Sequence, residues 1–191
     1  MLNEVMEADR NVSLTLSPGH LRRLKVFADM TEPQVGLFLG LVEPVQVKPN
    51  RAIVKMQEKG DCMYLVLDGQ VRVSQLAEGK ETVLATLETG DFFGEVCLFD
   101  EGLRSADVVA NRDCTLLKIT KTAFDTIVAE HPDVGVRFLS AMIRAVAARV
   151  RAMDKKYVDS MMLSRFWSPP GAPLGRASAG SAPGANRGYR T

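Results

Sequence analysis

GDFFGEVCLFDEGLRSADVVA, residues 90–110, is the stretch that decides how this 191-residue chain is read. It opens on Gly90-Asp91 and an aromatic pair, passes a second glycine and a carboxylate at Gly94-Glu95, and continues as the apolar triplet Val96-Cys97-Leu98. Arg104-Ser105-Ala106 follows, with Arg104 nine positions beyond Glu95. A guanidinium offers two parallel N–H donors that match the oxygens of an anion. Glycine at 94 lets a ligand approach the backbone, and a short helix starting near Glu95 would aim the N–H groups of Val96, Cys97 and Leu98 at that anion. Glu95 can accept from a sugar hydroxyl, and Ser105 can donate. Taken alone, Glu95 and Arg104 would be a surface ion pair of little worth. The surrounding pattern makes Gly94, Glu95, Val96, Cys97, Leu98, Arg104, Ser105 and Ala106 the candidate ligand-binding set.

Outward from this stretch the rhythm is that of short β-prone runs, at 45–48, 52–57, 63–67, 70–76, 81–87, 106–110 and 114–119, separated by Gly, Pro, Asn and Asp. Asp68-Gly69 between two apolar runs predicts a tight hairpin. Gly79-Lys80-Glu81 reads as a polar hairpin turn and not a phosphate loop, because the upstream glycine spacing is missing. The fold expected is mainly β with flanking helices: a double-stranded β-helix, or jelly roll, with N-terminal helices and a long C-terminal helix. A short helix is expected over Leu21–Phe27. Thr31-Glu32-Pro33-Gln34 has the form of a capping box for a helix carrying Val35, Phe38, Leu41 and Val42, with Pro44 as its stop. Thr120 caps another with Phe124, Ile127 and Val128, and Pro132 opens a last helix to about Leu163. There Leu139, Ile143, Val146, Val150, Met153 and Tyr157 recur at steps of four and three, a heptad seam that outlasts what one small core can cover and suits a second subunit. The division expected is an N-terminal extension at 1–24, a domain with its long helix at 25–163, and a Gly/Pro/Ala-rich tail at 164–191.

The 90–110 stretch resembles the phosphate-binding cassette of cyclic-nucleotide-binding domains, the family of the bacterial catabolite activator protein and the regulatory subunits of cAMP-dependent protein kinase. Gly94-Glu95, Val96-Cys97-Leu98 and Arg104-Ser105-Ala106 match its pattern in order. The likeness extends through Phe27–Thr31, Gly60-Asp61, Tyr64-Leu65-Val66, Asp68-Gly69 and the Phe124 helix, over about residues 25 to 160. It implies a cyclic nucleotide as ligand, with Arg104 on the phosphate and Glu95 on the ribose. Ser105 resembles the bacterial cAMP receptors and favours cAMP over cGMP. Cys97 departs from the small Ala or Gly frequent at its place. Family members cap the base from the last helix or beyond, and Arg144, Arg149 and Tyr157 are the candidates here.

Lys+Arg 24 against Asp+Glu 23 leaves a net charge of +1, so no global field points to nucleic acid or an anionic membrane. The three cysteines, Cys62, Cys97 and Cys114, are widely spaced and read as reduced, buried thiols. The acidic start and the want of a long apolar run point to a cytoplasmic protein. Neither His20 nor His131 has partners at catalytic or metal spacing, and no GxSxG elbow occurs, so no enzymatic activity, metal or cofactor is expected. The function expected is a stand-alone cyclic-nucleotide sensor that relays occupancy through its last helix to a homodimer or a protein partner, with nucleic acid and membrane not expected as partners. Its rivals are a ligand-degenerate assembly module and a DNA-binding regulator lacking a recognisable helix-turn-helix.

Overall fold

A computed structural model describes residues 17–77, 79–100 and 102–166. The expectations for residues 1–16 and for the tail from 167 lie outside the described residues. Residues up to Ala147 make one compact unit, and those from Ala148 a second.

The first helix, α1, is Pro18–Leu21 and is followed by turns through Asp29, not by the expected helix over 21–27. Leu24, Phe27 and Met30 close successive i→i+3 backbone bonds, to Leu21, Leu24 and Phe27, which turns the chain too tightly for an α-helix while burying Phe27 and Met30. Helix α2, Glu32–Gly40, starts on the capping box: the Thr31 hydroxyl accepts from the Gln34 N–H, and the Gln34 side chain accepts from the Thr31 N–H at 2.9 Å. Thr31→Ala is therefore expected to lower stability by about 1 kcal/mol, read from the urea midpoint, and an unchanged midpoint would deny the cap any role.

Eight strands follow: β1 Glu43–Val47, β2 Ala52–Val54, β3 Cys62–Asp68, β4 Gln70–Ala77, β5 Lys80–Glu88, β6 Phe92–Phe93, then β7 Asp107–Ala110 and β8 Cys114–Thr120 beyond the helix α3, Val96–Asp100. They form two four-stranded antiparallel sheets, β1-β8-β3-β6 and β2-β7-β4-β5, the jelly roll anticipated. Pro44 does not stop α2, which ends earlier at Gly40; it sits in β1, an edge strand, where its missing N–H breaks no interior ladder.

Asp68-Gly69 is not a hairpin. β3 and β4 belong to different sheets, so the turn is a corner where the chain changes layers. Gly69 has φ +105°, and a Cβ there would stand 2.6 Å from the Asp113 carbonyl oxygen. The hairpin lies one strand later, where Ala77 pairs with Lys80 beside Gly79 at φ +77°.

β3 shows why its sequence is apolar without alternation. Cys62, Tyr64 and Val66 face the space between the sheets, while Met63 and Leu65 face the helices, so both sides are buried. Helix α4, Lys121–Glu130, is capped by the Thr120 hydroxyl, which accepts from the Ala123 N–H at 3.1 Å. It and the first part of α5, Pro132–Phe166, cover the outer face of the first sheet through Phe124, Ile127, Phe138 and Met142. In that first part the core stripe is Val134, Phe138, Ala141 and Met142; Leu139 and Val146 of the heptad seam are only partly buried, and Ile143 is exposed. In the second unit, Val150, Met153 and Tyr157 are exposed. No helix of the described residues is long and apolar enough to cross a membrane.

Candidate functional site

Arg104 is the one charged residue buried among the described residues, with a relative exposure of 6%. Its backbone is fixed on both sides by the loop after β2. The Arg104 N–H donates to the Glu58 carbonyl at 2.8 Å, and the Arg104 carbonyl accepts from the Gln57 N–H at 2.9 Å. Gln57 makes that bond from a left-handed backbone, φ 67°. The side chain then turns inward, where Nη1 donates to the Gly94 carbonyl at 3.1 Å and Nη2 to Cys62 Sγ at 3.4 Å. A guanidinium has five N–H donors, of which these two bonds engage two.

The glycines around it exist for the arginine. A Cβ on Gly94 would stand 2.5 Å from Arg104 Nη1, and Gly94 also holds φ +77°. Where the sequence suggests room for a ligand, the structure shows a left-handed turn and room for the guanidinium. Gly60 was not in the candidate set, yet a Cβ there would stand 2.5 Å from Arg104 Cζ and 2.8 Å from Cys97 Sγ. Because the guanidinium is pinned by two acceptors, Gly60→Ala is expected to displace it and weaken anion binding about tenfold, at the scale of one charge-assisted hydrogen bond. Calorimetry with cAMP reads this, and wild-type affinity would mean the arginine moves freely.

Glu95 is half-buried and precedes α3. The Leu98 N–H does not face outward as expected: it donates to the Glu95 carbonyl at 3.0 Å, a tight first turn that consumes it. The expected row of three N–H groups is thus reduced to Val96 and Cys97. Leu98 is buried as the anchor of α3, and Val96 is 52% exposed. Cys97 is buried, its sulfur lying against Gly60. Ser105 is exposed and its carbonyl accepts from the Gln75 side chain at 2.7 Å, tying the cassette to β4; Ala106 is buried.

Cys62 and Tyr64 on β3 complete the surroundings, and the sequence reading missed both as site residues. The Tyr64 ring stacks on Phe93, centroids 5.2 Å apart. Burial, and then the Cys62 sulfur beside it, push the Tyr64 hydroxyl well above the ordinary tyrosine range, so it stays a protonated donor. Of the base-cap candidates, Arg144 is engaged elsewhere, Nη2 donating to Asp29 Oδ2 at 2.5 Å. Arg149 and Tyr157 lie in the second unit, half-buried and exposed respectively. Among the described residues no group of three His, Cys, Asp or Glu side chains could hold a metal ion.

Residues 44–131 match the cyclic nucleotide-binding domain family. The cAMP-activated global transcriptional regulator CRP of Salmonella typhimurium is 34% identical over 116 residues, 60% of this chain and 55% of that protein. Lysophospholipase NTE1 of Phaeosphaeria nodorum is 34% identical over 113 residues, 59% of this chain but 7% of that protein. The chain thus spans about half the length of the CRP relatives it matches. Among solved structures, the Thermus thermophilus catabolite activator protein aligns with TM-score 0.60 at 30% identity, covering 73% of this chain and 63% of that one. A cyclic nucleotide-binding domain from Methylobacillus flagellatus aligns with TM-score 0.68 at 20% identity, covering 75% and 82%, and supports the fold. Residues 44–131, with the buried Arg104 at the end of the cassette, form a cyclic nucleotide-binding domain.

Proposed function

We propose that the chain is a sensor that binds a cyclic nucleoside monophosphate, cAMP in preference to cGMP, without altering it chemically, and that α5 conveys occupancy to a second copy or a partner protein. The observation that carries this reading is Arg104: a buried cation, held by two acceptors, whose five-donor fork has more to offer an anion. A buried guanidinium without an anion is costly, and the single negative charge of a cyclic phosphodiester offsets that cost. Glu95, next in sequence to the Gly94 that Arg104 contacts, suits the ribose hydroxyl. The CRP relatives are named for activation by cAMP, which supports the choice of base.

The relay rests on the exposed heptad positions of α5: Ile143 in the first unit, and Val150, Met153 and Tyr157 in the second. A second copy would cover such a seam. Titration calorimetry of the full chain with cAMP and with cGMP tests the ligand, and sedimentation of the full chain beside Val150→Glu/Met153→Glu tests the pairing. Expected are binding of cAMP more tightly than cGMP, and a dimer that the double variant dissociates. No heat with either nucleotide from folded protein would favour the ligand-degenerate assembly module instead.

The names of the curated relatives as transcriptional regulators, and their greater length, favour a second reading in which this domain serves DNA binding. Affinity for duplex DNA that falls steeply with salt would support it, and no mobility shift at low salt would exclude it.

A further inference from the structure

We propose that Cys62 is the positioning residue for Arg104: its sulfur fixes the plane of the guanidinium and so decides which N–H groups face a bound anion. The inference rests on the reading of the cassette as an anion site.

An arginine side chain has several rotatable bonds, and one hydrogen bond leaves its planar head free to swing about that contact. Two bonds on different nitrogens define the plane. Here the Gly94 carbonyl takes Nη1 and Cys62 Sγ takes Nη2, the latter pair 42 positions apart in sequence and wholly buried. The sulfur is itself held. Cys62 lies within β3, an interior strand, paired across to Thr120. The neighbouring Tyr64 hydroxyl is kept protonated by burial and by the Cys62 sulfur beside it. Stacking on Phe93, the first residue before Gly94, fixes the tyrosine ring. A line of contacts thus runs from the entry of the cassette at Phe93, through Tyr64 and Cys62, to Arg104 at its exit.

The choice of sulfur matters chemically. A carboxylate at this place would grip the guanidinium with charge-assisted bonds and compete with an incoming anion. Sulfur is a weak acceptor. It orients the cation and leaves most of its attraction for the ligand.

The test uses the full chain and three variants. Cys62→Val keeps a compact apolar group suited to a strand but removes the acceptor; Cys62→Ser restores an acceptor; Cys114→Ser alters a buried thiol outside the cassette and serves as control. Calorimetry with cAMP is expected to show affinity lowered about tenfold in Cys62→Val, the scale of one hydrogen bond to a charged group. Cys62→Ser is expected to recover most of that loss, and Cys114→Ser to match wild type. A merely structural role predicts no rescue by serine, since serine loses the same sulfur packing. Affinity of Cys62→Val within about twofold of wild type, or a serine variant no better than valine, overturns the proposal. Should the wild-type chain bind neither cAMP nor cGMP, the nucleotide reading falls, and the Arg104 Nε–H resonance of the ligand-free protein decides the positioning role by itself. A resonance displaced in Cys62→Val and restored in Cys62→Ser supports it, and coincident resonances overturn it.

Discussion

Arg104→Ala is expected to weaken cAMP binding by about a hundredfold or more, because it removes at once the charge and at least two donors of a desolvated contact, each charge-assisted bond contributing about 1.5–3 kcal/mol. The unfolding midpoint of the ligand-free protein is expected to move far less. Truncation there removes a buried charge, whose desolvation opposes folding, along with the bonds to Gly94 and Cys62 that offset it. Calorimetry and thermal unfolding of the same samples separate the two effects. Arg104→Lys, which keeps the charge and loses the fork, is expected to fall between wild type and alanine. Binding of the alanine variant within tenfold of wild type would remove Arg104 from the phosphate site.

Phe138→Ala is expected to give the largest loss of stability, about 3–5 kcal/mol, as for other buried phenylalanines. Phe138 is fully buried, and its ring meets Phe38 at 4.7 Å, Phe27 at 6.3 Å and Phe124 at 6.5 Å between centroids. Those rings come from α2, the turn before it and α4, so the cavity would open where three elements converge. None of them can close it alone, since all three share one core with Met63, Leu65 and Leu117 of the first sheet. Urea unfolding measures the loss, and Phe138→Leu is expected to recover more than half of it. A cost below about 1.5 kcal/mol would show that α4 and α5 can repack without this ring. Phe99 of the cassette helix meets Phe124 edge-on at 5.7 Å, so the same variant also removes the support behind one wall of the site.

What the sequence disclosed and what it withheld follow from how local each signal is. The caps at Thr31 and Thr120 are made within three residues, and both are where the spacing puts them. The cassette is likewise a run of consecutive residues, which is why Gly94, Glu95 and Arg104 stood out together. Asp68-Gly69 misled because a tight turn fixes a change of direction and not a pairing partner; whether β4 lies beside β3 depends on β8 and β7, more than thirty residues away. β6 escaped notice because two residues, Phe92 and Phe93, carry no periodicity. Gly60 and Cys62 were passed over as site residues for the same reason in three dimensions: each acts on a side chain some forty positions later. Arg144 is a reverse case, its charge suggesting a ligand contact while Asp29 lay beyond the view of any local pattern.

The corner at Asp68-Gly69 has a consequence for how the chain reaches its fold. By sending β4 into the other sheet, it leaves β4–β5 as the single ladder between strands adjacent in sequence among the described residues. Every other ladder joins distant partners, as Val47 does with Cys114 and Ala52 with Val109. Such closures cost loop entropy before any contact compensates for it, which places folding in the millisecond-to-second range of β-rich domains, about a thousandfold slower than helical bundles. The ribbon of β4 and β5 can form early and by itself. The seat of Arg104 cannot, because Arg104 meets Cys62 only once β7 and β8 have closed the two sheets, so a chain still emerging during synthesis lacks that contact until nearly all of this domain has been made.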